Sequence, residues 1–220
     1  MLYGISPTLL PTPKDWPDNA VLCGQWVPLG TNFIPPAALT QFLAAGPAPI
    51  YVGFGSMTGI DLPRMLDIVI KALNGRRAVV WPGWSDIGSM ALPENMLRID
   101  ATPHDWLFPR MAAVIHHGGS GTSHSAASAG KPSIVMPFAG DQSFWADRLY
   151  RAGIAPSALS PARLNSTMLA NAISFVEQSS VIARATTIRQ AMAREDGLST
   201  GVMMIEKLLA AASGSRLNLT

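Results

Sequence analysis

Cysteine is almost absent from this chain. The single Cys23 leaves no partner for an internal disulfide and fits a reducing, cytoplasmic setting. No run of 18 apolar residues occurs, so no stretch has the composition of a membrane span. Charge is sparse: 14% of the 220 residues are Asp, Glu, Lys or Arg, the formal net charge is +2, and no five like charges run together. Nucleic acid, which asks for a concentrated basic face, is therefore not an expected partner. The start, MLYGISPTLLPTP, has no charged leader and is broken by prolines. It does not read as a secretion signal; it reads as the middle of a longer polypeptide. Internal repeats are missing too. What the chain does have is apolar residues, 48% of the total, enough for one well-cored domain with an added arm.

The texture changes along the chain. Residues 1–49 hold nine of the eighteen prolines, which fix φ and remove donors. This segment is expected to be an extended interdomain arm, with one short strand at Ala20-Val21-Leu22-Cys23 and a short helix near 37–45. Residues 50–212 form the expected domain, and 213–220 a tail. IYVG, RAVVW, NMLRI, AAVIH and SIVMP read as short buried strands. Between them, DLPRMLDIVIKALNG has helical apolar spacing, a cap at Asp61 and a stop at Gly75. HDWLFPR reads as a turn or single helical turn, and GTSHSAASAG and DQSFWADRLYRAG as helices. Helices over about 161–177, 180–195 and 199–212 follow. Strand and helix alternate, which predicts an α/β fold with a Rossmann-like, doubly wound, mostly parallel sheet.

In such a sheet ligands sit beyond the carboxyl ends of the strands. Two glycine-bearing loops fall there, Gly53-Phe54-Gly55-Ser56 and Gly118-Gly119-Ser120-Gly121. The second opens a helix, whose free N–H groups and positive dipole end attract anions. Ser120, Thr122 and Ser123 add hydroxyl donors, and His117 an imidazole. This is the pattern of a phosphate cradle. A Walker loop is ruled out because Gly130-Lys131 is followed by Pro132, G-x-G-x-x-G is incomplete in both loops, and G-x-S-x-G fails around Ser56 and Ser120. H-E-x-x-H and C-x-x-C are absent, so the three histidines at 116, 117 and 124 are not read as a zinc site. No D-x-D pair occurs, so no bridging metal is expected. One strand later, Asp141-Gln142 stands at the next carboxyl end. A carboxylate and an amide are the groups that read sugar hydroxyls, although Asp141 would equally serve as a helix N-cap.

These motifs, in order, carry a resemblance. IYVGFGSM, PHDWLFPR, HHGGSGT and AGKPSIVMPFAGDQSFWADR resemble the donor-binding signature of GT-B-fold nucleotide-sugar glycosyltransferases, closest to sterol glucosyltransferases and bacterial antibiotic glycosyltransferases. LYGISPTLLPTPKDW and GQWVP resemble the linker between the two domains of that family. The resemblance covers nearly the whole chain and matches the carboxyl-terminal, donor-binding half of the GT-B fold. It implies transfer of a hexose, first of all glucose from UDP-glucose, to a hydroxyl acceptor such as a sterol, lipid or aglycone. It implies that Ser56, His117, Gly119, Ser120, Gly121 and Thr122 hold the donor diphosphate and that Asp141 and Gln142 read the sugar. Pro103 and His104 meet the nucleobase, and Ser125 stands in the place of a ribose-binding glutamate of plant relatives. Ala101 stands where those relatives stack a tryptophan on uracil; both departures bear on nucleotide specificity. No cofactor is implied, the UDP-sugar being a substrate. The partners implied are that donor and an amino-terminal acceptor-binding domain, with peripheral membrane contact through the full-length enzyme. The catalytic base is expected on the amino-terminal domain and is unknown within this chain, where His104 is the runner-up.

Other readings remain beside these. The alternative function is a non-catalytic nucleotide-sugar-binding module or one subunit of a two-chain enzyme; a sugar-nucleotide epimerase accounts less well for Asp141-Gln142 and PHDWLFPR. His116 reads as a packed core histidine. Trp81 and Trp84 suit packing and cleft rim equally. Trp106, Phe108, Phe144 and Trp145 read as core, the methionines as gap-filling core, and Arg184, Arg189 and Arg194 as a solvated helix face.

Overall fold

The computed structural model describes residues 1–27, 32–55, 61–83 and 91–216. The chain divides into two compact units, Met1–Gly30 with Gln190–Thr220, and Thr31–Arg189. In the first, Leu2–Tyr3 (β1) and Val21–Leu22 (β2) pair in parallel. The Tyr3 ring lies 4.9 Å from that of Trp16. So the proline-rich start is not simply extended: a short parallel pair organises it.

The second unit opens with a helix, Ala37–Ala44 (α1). Five strands follow: Ile50–Gly53 (β3), then after the helix Leu62–Leu73 (α2), Ala78–Trp81 (β4) and Met96–Arg98 (β5). A single helical turn, His104–Leu107 (α3), runs into a 3-10 turn at Phe108–Arg110. Val114–His116 (β6), Ser120–Ser128 (α4), Ser133–Val135 (β7) and Gln142–Arg151 (α5) complete the alternation. Ser166–Val176 (α6) and Ser179–Met192 (α7) come last. The sheet is wholly parallel, in the order β5-β4-β3-β6-β7. β3 stands in the middle and the winding reverses between β3 and β6, which is the switch point of a doubly wound sheet.

Both faces of the sheet are covered, and strand alternation decides which residue meets which layer. Ile50 and Val52 of β3, Ala78 and Val80 of β4 and Ile115 of β6 pack with Leu66, Val69 and Leu73 of α2 and Leu169 and Ile173 of α6. Tyr51, Val79 and Val114 turn the other way, toward Leu39, Leu107, Phe108, Met111 and Ala126. Asp61 caps α2 by accepting from the Arg64 N–H at 3.1 Å, and the helix stops where Asn74 and Gly75 take φ of 46° and 81°.

Several expectations shift. The sheet unit takes in α1, because Leu39 buries among Tyr51 and Phe108. The helix expected from 161 starts at Ser166: Pro161–Arg163 is only a 3-10 turn, and Asn165, extended, caps α6 by accepting from the Met168 N–H. Phe144 is not core but 46% exposed, whereas Phe108 and Trp145 are buried. Met65, Met96, Met111 and Met136 are core, while Met1 and Met203 are exposed. Arg184, Arg189 and Arg194 are exposed, as expected of a solvated face.

The last helix, Gly197–Arg216 (α8), belongs with the first 30 residues and extends past the expected tail boundary. There Glu195 accepts from the Ser6 and Thr8 hydroxyls, at 2.8 and 2.6 Å, and from the Thr8 N–H at 3.1 Å. The Trp26 indole donates to the Gly197 carbonyl at 3.1 Å. Among the described residues no helix is long and apolar enough to cross a membrane.

Candidate functional site

β3 and β6 lie in register, Gly53 opposite His116, so the loops that leave them separate from one point on the sheet edge. Each glycine there has its own reason. A Cβ on Gly53 would fall 2.2 Å from the Tyr51 hydroxyl; glycine lets that phenol lie over the strand end. A Cβ on Gly55 would stand 2.8 Å from His117 Cε1, and one on Gly119 2.5 Å from His117 Nε2, so the imidazole is wedged between two bare backbones. Gly118 has φ +95°, and a Cβ there would strike Val135. Gly121 differs: it lies on the first turn of α4 and a Cβ would meet nothing within 4 Å. Packing does not explain a glycine at that position, whereas close approach of an external group would.

No side chain caps α4 and no acidic residue stands in its first turn. Its amide groups and dipole therefore face outward unneutralised, beside the Thr122 hydroxyl, and favour an anion. His117 sits beside them with a buried Nδ1 that has no partner among the described residues. Burial lowers the His117 pKa below the ordinary range for histidine, while the Asp141 carboxylate pulls it up.

A cleft of about 330 Å³ opens at this point, lined by Tyr51, Gly55, Trp81, Ile99, Ala101, Thr102, His104, Leu107, His117 and Thr122. It gathers loops from the ends of β3, β4, β5 and β6. His104 stacks on Phe108 with centroids 4.1 Å apart. Burial pushes its pKa down to about 4, with Asp105 opposing and His117 reinforcing the shift. His116 is fully buried; it accepts the Gly118 N–H through Nδ1, and burial pushes its pKa down to about 3, helped by His117 and His104. It is the core histidine expected, and it also shapes the cradle. His104 and His116 are neutral near pH 7, so they serve as hydrogen-bonding groups, and burial biases His117 the same way.

The remaining candidates are distributed as follows. Pro103 is the N-cap of α3 and does not line the cleft, whereas His104 does. Ser120 and Gly121 form the first turn of α4, while Ser125 lies one turn further along and is not part of the cleft wall. Ser56 and Trp84 lie outside the described residues. Gln142 is only 8% exposed, and its Oε1 accepts the N–H groups of Phe138 and Ala139 at 2.6 and 3.1 Å. Asp141 is exposed and holds the N-cap position of α5 without a side-chain cap bond; its Oδ2 accepts instead from Trp145 Nε1 at 2.8 Å. Sequence reasoning missed Tyr51, Ile99, Thr102 and Leu107. Only the tyrosine two residues before Gly53 left a signal, a polar tip at the end of an apolar strand. Among the described residues no three His, Cys, Asp or Glu side chains converge to hold a metal ion.

The fold and the cleft define a doubly wound α/β domain with a glycine-built anion cradle at its switch point. The chain belongs to the erythromycin biosynthesis protein CIII-like C-terminal domain family, whose model matches residues 78–204. It is 38% identical over 214 residues to a sterol 3-beta-glucosyltransferase of Arabidopsis thaliana, covering 96% of this chain and 34% of that protein. It is 35% identical over 209 residues to the O-mycaminosyltylonolide 6-deoxyallosyltransferase of Streptomyces fradiae, covering 94% of this chain and 49% of that one. The chain thus spans about a third to a half of these relatives. Among solved structures, the glycosyltransferase of kitacinnamycin aligns with TM-score 0.78 at 18% identity, covering 94% of this chain and 54% of that one. That likeness shows the fold alone.

Proposed function

We propose that this chain is the donor-binding part of a glycosyltransferase that takes a hexose, first of all glucose, from UDP and gives it to a hydroxyl acceptor. The observation that carries the reading is the His117 imidazole, wedged between Gly55 and Gly119 at the mouth of the uncapped helix α4, with its buried Nδ1 unpartnered among the described residues. A diphosphate laid there meets amide N–H groups, a helix dipole and an imidazole, and Gly121 leaves room for it. On this reading the nucleoside occupies the cleft bounded by Tyr51, Ala101, Thr102 and His104, and Asp141 reads the sugar. The Arabidopsis relative's name supports glucose and a sterol acceptor.

Glycosyl transfer builds positive charge on the sugar while the nucleoside diphosphate leaves with negative charge. The cradle stabilises the leaving group without a metal, by fixed dipoles and hydrogen bonds. The base that deprotonates the acceptor belongs, on the family resemblance, to the amino-terminal part of the longer relatives.

Calorimetric titration with UDP and UDP-glucose, with and without chelator, tests the reading. UDP should bind, UDP-glucose more tightly, and chelator should change neither. His117→Ala should weaken both by about 1–3 kcal/mol, the scale of a lost charge-assisted hydrogen bond. A strict need for magnesium or manganese would sink the mechanism, and stronger binding of TDP than UDP would move the nucleotide assignment.

A further inference from the structure

Trp145 is buried at the end of the first turn of α5, and a buried indole N–H needs an acceptor. It finds Asp141, one turn back, at 2.8 Å. That bond takes one carboxylate oxygen and fixes the plane of the other. The indole also meets the His124 ring in a T-shaped contact, centroids 4.8 Å apart at 70°. His124 is itself buried and its Nδ1 lies 2.8 Å from the carbonyl of Ser120, which can only accept, so Nδ1 carries the proton. Ser120 is the first residue of the cradle helix. A continuous path therefore runs from the first turn of α4, through His124 and Trp145, to the carboxylate of Asp141.

We infer that Trp145 is a positioning residue: braced on His124, it holds the Asp141 carboxylate at a set distance and angle from the anion cradle, and so sets the discrimination for the sugar over the bare nucleotide. This rests on the reading of Asp141 as the sugar-binding carboxylate. An exposed carboxylate without the indole bond would rotate freely and lose directionality toward a pair of hydroxyls. The arrangement also accounts for an aspartate that sits at a helix N-terminus yet leaves the helix uncapped.

The test uses the ratio of UDP affinity to UDP-glucose affinity in the full chain. Trp145→Phe keeps the ring and removes the N–H; it should cut the preference for UDP-glucose about fivefold, less than the full worth of a hydrogen bond to a carboxylate because the indole acts on the sugar only through Asp141. UDP affinity itself should stay within about twofold. Asp141→Asn should also cut the preference, and adding Trp145→Phe to it should change nothing more, because the indole acts through the carboxylate. A loss of UDP and UDP-glucose in equal proportion, or an additive double variant, would make Trp145 mere packing and overturn the inference. If Asp141→Asn alters the preference and Trp145→Phe does not, the inference fails and the sugar reading stands. If Asp141→Asn leaves it unchanged, the sugar reading itself falls. Wild-type protein gives a second readout should the Phe variant not fold: the indole ¹⁵N–¹H resonance that Asp141→Asn displaces should shift on adding UDP-glucose and not on adding UDP. Equal shifts with both ligands would overturn the inference.

Discussion

At the residue scale, the histidines carry most of what is testable. Burial lowers the His117 pKa and so favours the neutral imidazole in the free protein. A diphosphate placed against it favours the imidazolium, so binding should draw a proton onto His117. Calorimetry near pH 6.5 in two buffers of different ionisation enthalpy should show more proton uptake for the parent than for His117→Asn; equal uptake would remove His117 from the cradle. UDP affinity should accordingly rise as pH falls toward 6 in the parent more than in the variant. Stability should move the other way. His104 and His116 have folded pKa values pushed down to about 4 and about 3, below the ordinary value of about 6.5 that they regain on unfolding. Between those values the unfolded chain binds more protons than the folded one. Stability is therefore full above about pH 6.5 and is lost as pH falls through the window, by at most about 1.4 kcal/mol per pH unit for each imidazole. Denaturant unfolding of His104→Phe should show a shallower decline between pH 6.5 and 4 than the parent.

At the element scale, α4 is the helix whose composition fits its own stability least. It begins with Ser120-Gly121 and has no side-chain cap, where a self-sufficient helix would carry Ser or Asp at the cap and no glycine. Gly121→Ala should stabilise the fold by about 0.5–1 kcal/mol, since a methyl there meets open space. The same substitution should weaken UDP binding, because the proposed phosphate position is that space. Gain of stability with undiminished affinity would show that the anion approaches elsewhere. By contrast, Gly119→Ala should dislodge the His117 ring, and it should cost affinity with no gain in stability. α2, with Asp61 at its cap and Asn74-Gly75 at its end, is the ordinary case beside which α4 stands out.

At the scale of the whole molecule, the proposed donor cradle, the cleft and Asp141 all lie on one 220-residue chain that spans about a third of its sterol glucosyltransferase relative. Catalysis by positioning needs both reactants held together. Incubated alone with UDP-glucose and sterol, phenol or lipid acceptors, this chain should release glucose slowly to water and form no glucoside at ordinary enzyme rates, as chromatography of the products would show. Rapid glucoside formation would place the base within these residues, and His104, lining the cleft, would be the first to replace.

The strands were legible because most are short apolar runs ended by glycine or proline, and the alternation with amphipathic helices dictated a parallel sheet. The cradle was legible for a related reason: three glycines within four residues, after a buried strand, have no use in a mere turn. Gly118 and Gly119 each press on a different neighbour, Val135 and His117, while Gly121 faces open space. Other features were decided only in three dimensions. Strand order, and with it the meeting of Gly55 with His117, depends on which strands pair, and local periodicity is blind to that. The fate of the proline-rich start depended on Ser6 and Thr8 finding Glu195, nearly the whole chain away. Trp145 read simply as core, and it is core; that its one polar atom should orient Asp141 follows from a helix turn bringing i and i+4 together at the edge of a cleft. Sequence determines which groups can hydrogen-bond, but only the packed backbone determines which of them point at the same empty space.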